Sequence, residues 1–218
     1  MSSPLLLCNS EVYMPEEAVF IESGDLKLEG LLEELPGHKG VVMTHPHPLY
    51  GGEMRNHVVE AVLEAYRSKG FSTLRFNFRG VGRSEGAHDQ GEGEQEDVAS
   101  ALAFLASHGK TEIDLAGYSF GAWVNARGIE KYGTVRRLVM VSPPVSFVDF
   151  GFLRSDSRIR LVVTGSLDEI AERVHVERLI SIWNPEALLR IVPDADHFYG
   201  RKIRELQSVI TGFLDLEG

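Results

Sequence analysis

Serine is a weak nucleophile at neutral pH. A chain that uses one for acyl transfer also needs an imidazole to take its proton and a carboxylate to fix the imidazole tautomer. Here all three residue types stand where strand-like runs give way to loops. Ser119 is the centre of Gly117-Tyr118-Ser119-Phe120-Gly121, between the run Thr111 to Ala116 and the helix-forming Ala122-Trp123-Val124-Asn125-Ala126. A sharp strand-to-helix turn of this G-x-S-x-G kind exposes the hydroxyl of a serine held in a strained backbone, which flanking glycines make sterically tolerable. The helix that begins there points its first N–H groups, that of Phe120 best placed, at an oxyanion forming beside Ser119. His197 lies in a loop after Ile191-Val192-Pro193, flanked by Asp194 and Asp196. Asp168 and Glu169 follow the run Leu161 to Ser166, and Asp168 is the better placed to orient the histidine. A tight turn with an incidental serine would need neither partner.

The hydrophobic spacing predicts the elements that must position these residues. Ala18 to Glu22 and Leu26 to Glu33 alternate apolar and polar residues across Ser23-Gly24-Asp25, which predicts an antiparallel hairpin at a sheet edge. Gly40-Val41-Val42-Met43-Thr44 is a continuous apolar run, expected of a central parallel strand. It leads into His45-Pro46-His47-Pro48-Leu49-Tyr50-Gly51-Gly52, too rich in proline and glycine for regular structure. Further strands are expected over Phe71 to Phe78, Val135 to Ser142, Ile159 to Gly165 and Ala187 to Val192. Helices are expected over Glu53 to Lys69, Glu92 to His108, Glu172 to Trp183 and Arg201 to Leu216, the acidic start of the second reading as a solvated face. Alternating strands and helices predict an α/β fold: a three-layer sandwich with a mostly parallel central sheet and an N-terminal antiparallel hairpin. Residues 1–16 read as an N-terminal extension and 17–218 as one domain. In such a sheet ligands bind beyond the carboxyl ends of the strands, where the candidate residues collect.

Composition narrows the function classes. A formal net charge of -10 opposes nucleic-acid binding and attachment to an anionic membrane, so neither partner is expected. The single cysteine, Cys8, cannot pair within the chain, and the apolar cluster Leu5-Leu6-Leu7-Cys8 is far too short for a secretion signal or a membrane span. A cytoplasmic protein, monomeric or homodimeric, is the expectation.

Five motifs together are similar to those of the α/β-hydrolase superfamily, near the small dienelactone-hydrolase-like bacterial serine hydrolases with a minimal or absent lid. They are Thr44-His45-Pro46-His47-Pro48 with Gly51-Gly52, Phe76-Asn77-Phe78-Arg79-Gly80-Val81-Gly82-Arg83-Ser84, the Ser119 pentapeptide, Gly165-Ser166-Leu167-Asp168, and Ala195-Asp196-His197-Phe198. The order Ser119, Asp168, His197 is also that of the superfamily. The resemblance implies Ser119 as nucleophile, His197 as general base and then acid, and Asp168 as orienting carboxylate. It implies Phe120 N–H as one oxyanion donor and a second from the loop after Thr44, where relatives often have His-Gly. Pro46 and Pro48 have no N–H, which leaves His47, with Leu49 the alternative. Leu49, Tyr50 and Tyr118 are expected around the substrate. Dienelactone hydrolases proper carry cysteine where this chain has Ser119. The implied activity is cleavage of small ester or thioester substrates through an acyl-enzyme, with no cofactor. An acyltransferase or peptidase with the same triad, or a non-catalytic binding protein of the same fold, are the alternatives.

Other patterns point elsewhere less well. His45 and His47 form an H-x-H pair such as metal-dependent amidohydrolases use, but further ligands and a longer barrel chain are lacking, so no metal is assigned. The glycines of Arg79 to Gly86 miss the dinucleotide-loop spacing by one residue, and no helix follows. Arg79 either fastens its loop or meets an anionic substrate group, the former preferred. His38, His88, His108 and His175 read as surface residues. The short interval from Ser142 to Ile159, with Pro143-Pro144, Phe147, Phe150 and Phe152, predicts an open cleft with an aromatic wall, suited to short acyl groups.

Overall fold

A computed structural model describes residues 15–217, so Cys8 and nearly all of the N-terminal extension lie outside the described residues. In chain order the strands and helices are β1 Glu17–Ser23, β2 Leu26–Glu33, β3 Lys39–Thr44, α1 His57–Arg67, β4 Ser72–Phe76, α2 Gly93–Ser107, β5 Glu112–Tyr118, α3 Phe120–Gly128, β6 Val135–Val141, β7 Ile159–Gly165, α4 Arg173–Trp183, β8 Leu188–Val192 and α5 Ile203–Glu217. The sheet has eight strands in the order β1-β2-β4-β3-β5-β6-β7-β8. Strands β3 to β8 are parallel, and β2 pairs antiparallel with both β1 and β4, so the hairpin forms one edge as its alternation implied.

Two apolar layers hold the sandwich. Val58, Val62 and Tyr66 of α1 and Leu206, Ile210 and Phe213 of α5 pack on one face of the sheet. On the other, Leu102 and Leu105 of α2, Val124 of α3 and Val176, Ile180 and Trp183 of α4 bury theirs. Each such side chain contributes roughly 1.5–3 kcal/mol on full burial. The run Val41-Val42-Met43 is wholly buried, as a strand covered on both faces requires.

Several boundaries depart from the sequence reading, each for a local reason. Helix α1 starts at His57 because Asn56 caps it, its side chain accepting the Val58 N–H at 2.9 Å, while the Met54 N–H turns inward to Asn77 Oδ1. Strand β5 runs on to Tyr118 because Gly117 and Tyr118 still pair with Thr44, Met140 and Val141 of its neighbours. Pro48–Tyr50 forms one 3-10 turn in a loop expected to be irregular throughout. The start of α2 is the clearest correction: Glu94 and Asp97 are buried rather than solvated. Glu94 is satisfied by the N–H groups of Asp89 and Gly91 in the preceding loop, and Asp97 by Arg79 of that loop and by Ser23 at the end of β1.

No regular element separates β6 from β7 among the described residues. The expected aromatic wall does not form. Phe150 is buried with its ring 5.1 Å from Trp183, and Phe152 packs beside it, so both serve the core beneath α4 and only Phe147 stands in solvent. No described helix is long and apolar enough to cross a membrane.

Candidate active site

Ser119 sits between the end of β5 and the start of α3 with φ 54° and ψ -118°, a conformation that costs a non-glycine residue on the order of 1–3 kcal/mol. Its N–H donates to Val141 O at 2.9 Å, and its C=O accepts the Trp123 N–H at 3.2 Å. The two elbow glycines are sterically required. A Cβ on Gly117 would lie 2.5 Å from Asn125 Nδ2 and 2.6 Å from Thr44 Oγ1. One on Gly121 would lie 2.7 Å from Thr44 O and 2.8 Å from His45 O. Only without those side chains can α3 approach β5 and the loop after β3 closely enough to turn the serine outward.

Three strand ends converge on Ser119. Its Oγ lies 2.9 Å from His197 Nε2, and His197 Nδ1 lies 3.0 Å from each oxygen of Asp168. The carboxylate makes Nδ1 the protonated nitrogen and leaves Nε2 to accept from the serine. Asp168 Oδ1 also accepts the N–H groups of Ile170 and Ala171 at 2.9 and 2.7 Å. Burial alone would raise the Asp168 pKa, but the hydrogen bond and charge of His197, the Ala171 N–H and Ser142 outweigh it and hold the carboxylate below its ordinary value. Glu169, the other candidate acid, is exposed, whereas Asp168 is the one in contact with His197.

The histidine loop is fixed by bonds that leave its ring free to serve Ser119. Tyr118 Oη donates to His197 O at 2.8 Å, and the ring of His57 bonds Phe198 O at 2.7 Å. Asp194 and Asp196 shape the loop, the first through its N–H on Ser166 Oγ and the second by accepting the Phe198 N–H. Tyr118, expected around the substrate, is instead buried beneath this loop as a support. Leu49 and Tyr50 do stand at the surface, 71% and 88% exposed.

The loop after β3 divides its two histidines. His45 is fully buried, with Nδ1 donating to Pro46 O at 2.7 Å and Nε2 accepting the Phe78 N–H at 3.0 Å, so both ring nitrogens are occupied. Burial is the main reason its pKa falls to about 4, which keeps it neutral as that bonding pattern demands. The His47 ring accepts the Leu49 N–H on Nδ1 at 3.2 Å, which removes Leu49 as an oxyanion donor. Burial and the neighbouring His88 lower the His47 pKa, while Glu94 opposes them. Among the described residues the backbone N–H groups of His47 and Phe120 make no hydrogen bond. Gly121 brings their two segments into contact.

Arg79 is a loop fastener. Its guanidinium and N–H bind Asp97 at 2.8 to 3.2 Å, and Arg83 lies over the Phe20 ring at the sheet edge. Four neighbours of the site were not placed there by the sequence reading: Ser142 and Tyr199, whose hydroxyls meet near Asp168; His88, read as a surface residue but with a side chain only 14% exposed and packed on His47 and Phe120; and Glu94, read as part of a solvated face but buried against His88. Ser142 with Tyr199, and His88 with His47 and Phe120, meet through loops far apart in the chain.

The model of the alpha/beta hydrolase family matches residues 41–214. An uncharacterized protein of Rickettsia prowazekii is 30% identical over 213 residues, 92% of this chain and 89% of its own. An alpha-beta serine hydrolase homologue from Coxiella burnetii is 32% identical with a TM-score of 0.85, covering 93% of this chain and 99% of its own. A lidless serine hydrolase from Xanthomonas campestris is 28% identical with a TM-score of 0.84, covering 98% of this chain and 97% of its own.

Proposed function

The chain belongs to the alpha/beta hydrolase family, and on that premise we propose that it is a serine hydrolase cleaving small carboxylic esters or thioesters through an acyl-enzyme on Ser119. The observation that carries this reading is the unbroken line Ser119 Oγ, His197 Nε2, His197 Nδ1, Asp168, with contacts of 2.9 and 3.0 Å. As Ser119 attacks a carbonyl, its proton passes to Nε2, and Asp168 stabilises the resulting imidazolium without itself taking the proton. The carbonyl oxygen gains negative charge, which the N–H groups of Phe120 and His47 stabilise, Phe120 with the aid of the α3 dipole. His197 then protonates the leaving alcohol or thiol. In the second half it deprotonates a water, whose attack releases the acid and restores Ser119. That cycle needs no cofactor.

Leu49, Tyr50 and Phe147, all largely exposed on loops at this end of the sheet, offer apolar contact without enclosure, in keeping with short acyl groups. A net charge of -10 and a lone cysteine are in keeping with a cytoplasmic enzyme acting on small molecules. The test is rapid mixing with p-nitrophenyl acetate. A burst of p-nitrophenol near one equivalent per subunit, followed by slower turnover, supports the acyl-enzyme. Hydrolysis no faster than in the Ser119→Ala variant removes the reading.

A further inference from the structure

His88 carries no motif, and the loop that holds it, between β4 and α2, contributes nothing to the proposed triad. Yet its ring lies 5.0 Å from that of His47 and 5.5 Å from that of Phe120, while His47 and Phe120 are themselves 4.7 Å apart. The three rings close a triangle. Two of its corners belong to His47 and Phe120, whose backbone N–H groups make no hydrogen bond among the described residues.

The third corner is anchored from behind. His88 Nδ1 lies 2.8 Å from Glu94 Oε1, too far out of line for a hydrogen bond but in contact, and the His88 side chain is only 14% exposed. Glu94 is wholly buried in the first turn of α2, where its charge suits the helix dipole. Its carboxylate accepts the N–H of Asp89 and of Gly91 at 2.8 Å each, so the loop on either side of His88 is clamped to the helix. That corner of the triangle is therefore fixed, whereas the His47 loop is exposed at Leu49 and Tyr50.

We propose that His88 is a positioning residue for the oxyanion site: held against Glu94, its ring packs on those of His47 and Phe120 and fixes the spacing of their backbone N–H groups. The inference rests on the serine-hydrolase reading and extends it to a residue that touches neither substrate nor triad. A donor stabilises a developing charge only while it points at the position the oxyanion will take, and displacement of about 1 Å can cost on the order of 100-fold in rate. Loss of the His88 ring should therefore act on the transition state more than on substrate binding.

The test compares His88→Ala and His88→Phe with wild type. In each, active enzyme is counted by fluorophosphonate labelling of Ser119, and kcat, KM and the inhibition constant of a small alkylboronic acid are measured. The boronate forms a tetrahedral serine adduct with an oxygen where the oxyanion would lie. The expected result is that His88→Ala lowers kcat per labelled serine by about 10- to 100-fold and weakens boronate inhibition in parallel, with KM changed less than about threefold. His88→Phe, which keeps a ring of similar size, should recover most of both. An unchanged kcat per labelled serine in His88→Ala would overturn the proposal, as would a rise in KM alone or a failure of His88→Phe to rescue. Wild type that does not label at Ser119 would overturn the underlying hydrolase reading and this inference with it, a result distinct from normal labelling with no effect at His88.

Discussion

The hydroxyl oxygens of Ser142 and Tyr199 lie 2.8 Å apart in the interior, and each residue holds a positive φ, 45° and 54°. Ser142 also helps to hold the Asp168 pKa down, and either of the two hydroxyls can donate to the other. Two strained residues from the ends of β6 and β8 thus meet behind the acid of the proposed triad. The strain is offset by the hydrogen bonds it makes possible.

Tyr199→Phe removes one hydroxyl of that pair without opening a large cavity. It should cost about 1 kcal/mol of stability, read from the urea midpoint, and it should leave Ser119 reactive toward a fluorophosphonate, because Asp168 keeps its bonds to His197, Ile170 and Ala171. A variant that folds normally but no longer labels would show that this hydroxyl matters to the chemistry itself.

The Arg79–Asp97 pair sets a contrast between two arginines four residues apart in the same glycine-rich loop. Asp97 is wholly buried and Arg79 nearly so. Asp97→Ala should destabilise by roughly 3 kcal/mol, since it leaves the Arg79 guanidinium only a long contact with the exposed Glu96 and takes the acceptor from the Ser23 hydroxyl. Arg83→Ala, which gives up only a surface contact with Phe20, should stay within about 0.5 kcal/mol. Equal effects of the two substitutions in chemical denaturation would refute the structural role given to Arg79.

His45 makes stability depend on pH. Its pKa is lowered from 6.5 to about 4, so between those values the unfolded chain binds a proton that the folded chain refuses. Stability therefore falls as pH drops from 6.5 toward 4, by up to about 3 kcal/mol from this group alone. Asp168, whose pKa is also lowered in the folded state, adds stability above its ordinary carboxylate value that is lost only at still lower pH. Denaturation midpoints measured across that range should show a shallower slope for His45→Gln than for wild type, even though the variant starts out less stable.

Two glycines should respond to alanine with opposite sign. At Gly121 the new Cβ would press on Thr44 O and His45 O, so Gly121→Ala should destabilise the elbow and abolish labelling of Ser119. Gly212 lies exposed within α5 with nothing near its Cβ position, so Gly212→Ala should raise stability by about 0.5–1 kcal/mol. Thermal denaturation of the two variants decides the matter.

Much of this architecture could be read from residue patterns because the patterns were local. The apolar run at Val41, the alternation around Ser23-Gly24-Asp25 and the glycines beside Ser119 each express a constraint satisfied within a few residues. The strand ends carrying Asp168 and His197 could be located for the same reason. What escaped were mostly contacts whose partners are farther apart in sequence. Asp97 looks like part of a solvated acidic turn until Arg79 and Ser23 reach it, and Glu94 beside it is covered by its own preceding loop. Phe150 and Phe152 look like cleft residues until Trp183 claims them. Tyr118 flanks the serine in the chain, but a strand sends neighbouring side chains to opposite faces, and its hydroxyl ends under His197.

The central claim is that His197 and Asp168 activate Ser119, and intact-mass spectrometry after fluorophosphonate treatment tests it most directly. Wild type should gain the mass of a single adduct, Ser119→Ala should gain none, and His197→Ala should react at least ~100-fold more slowly. An unmodified wild type under conditions where it is folded, or an adduct that persists in Ser119→Ala, would contradict the account.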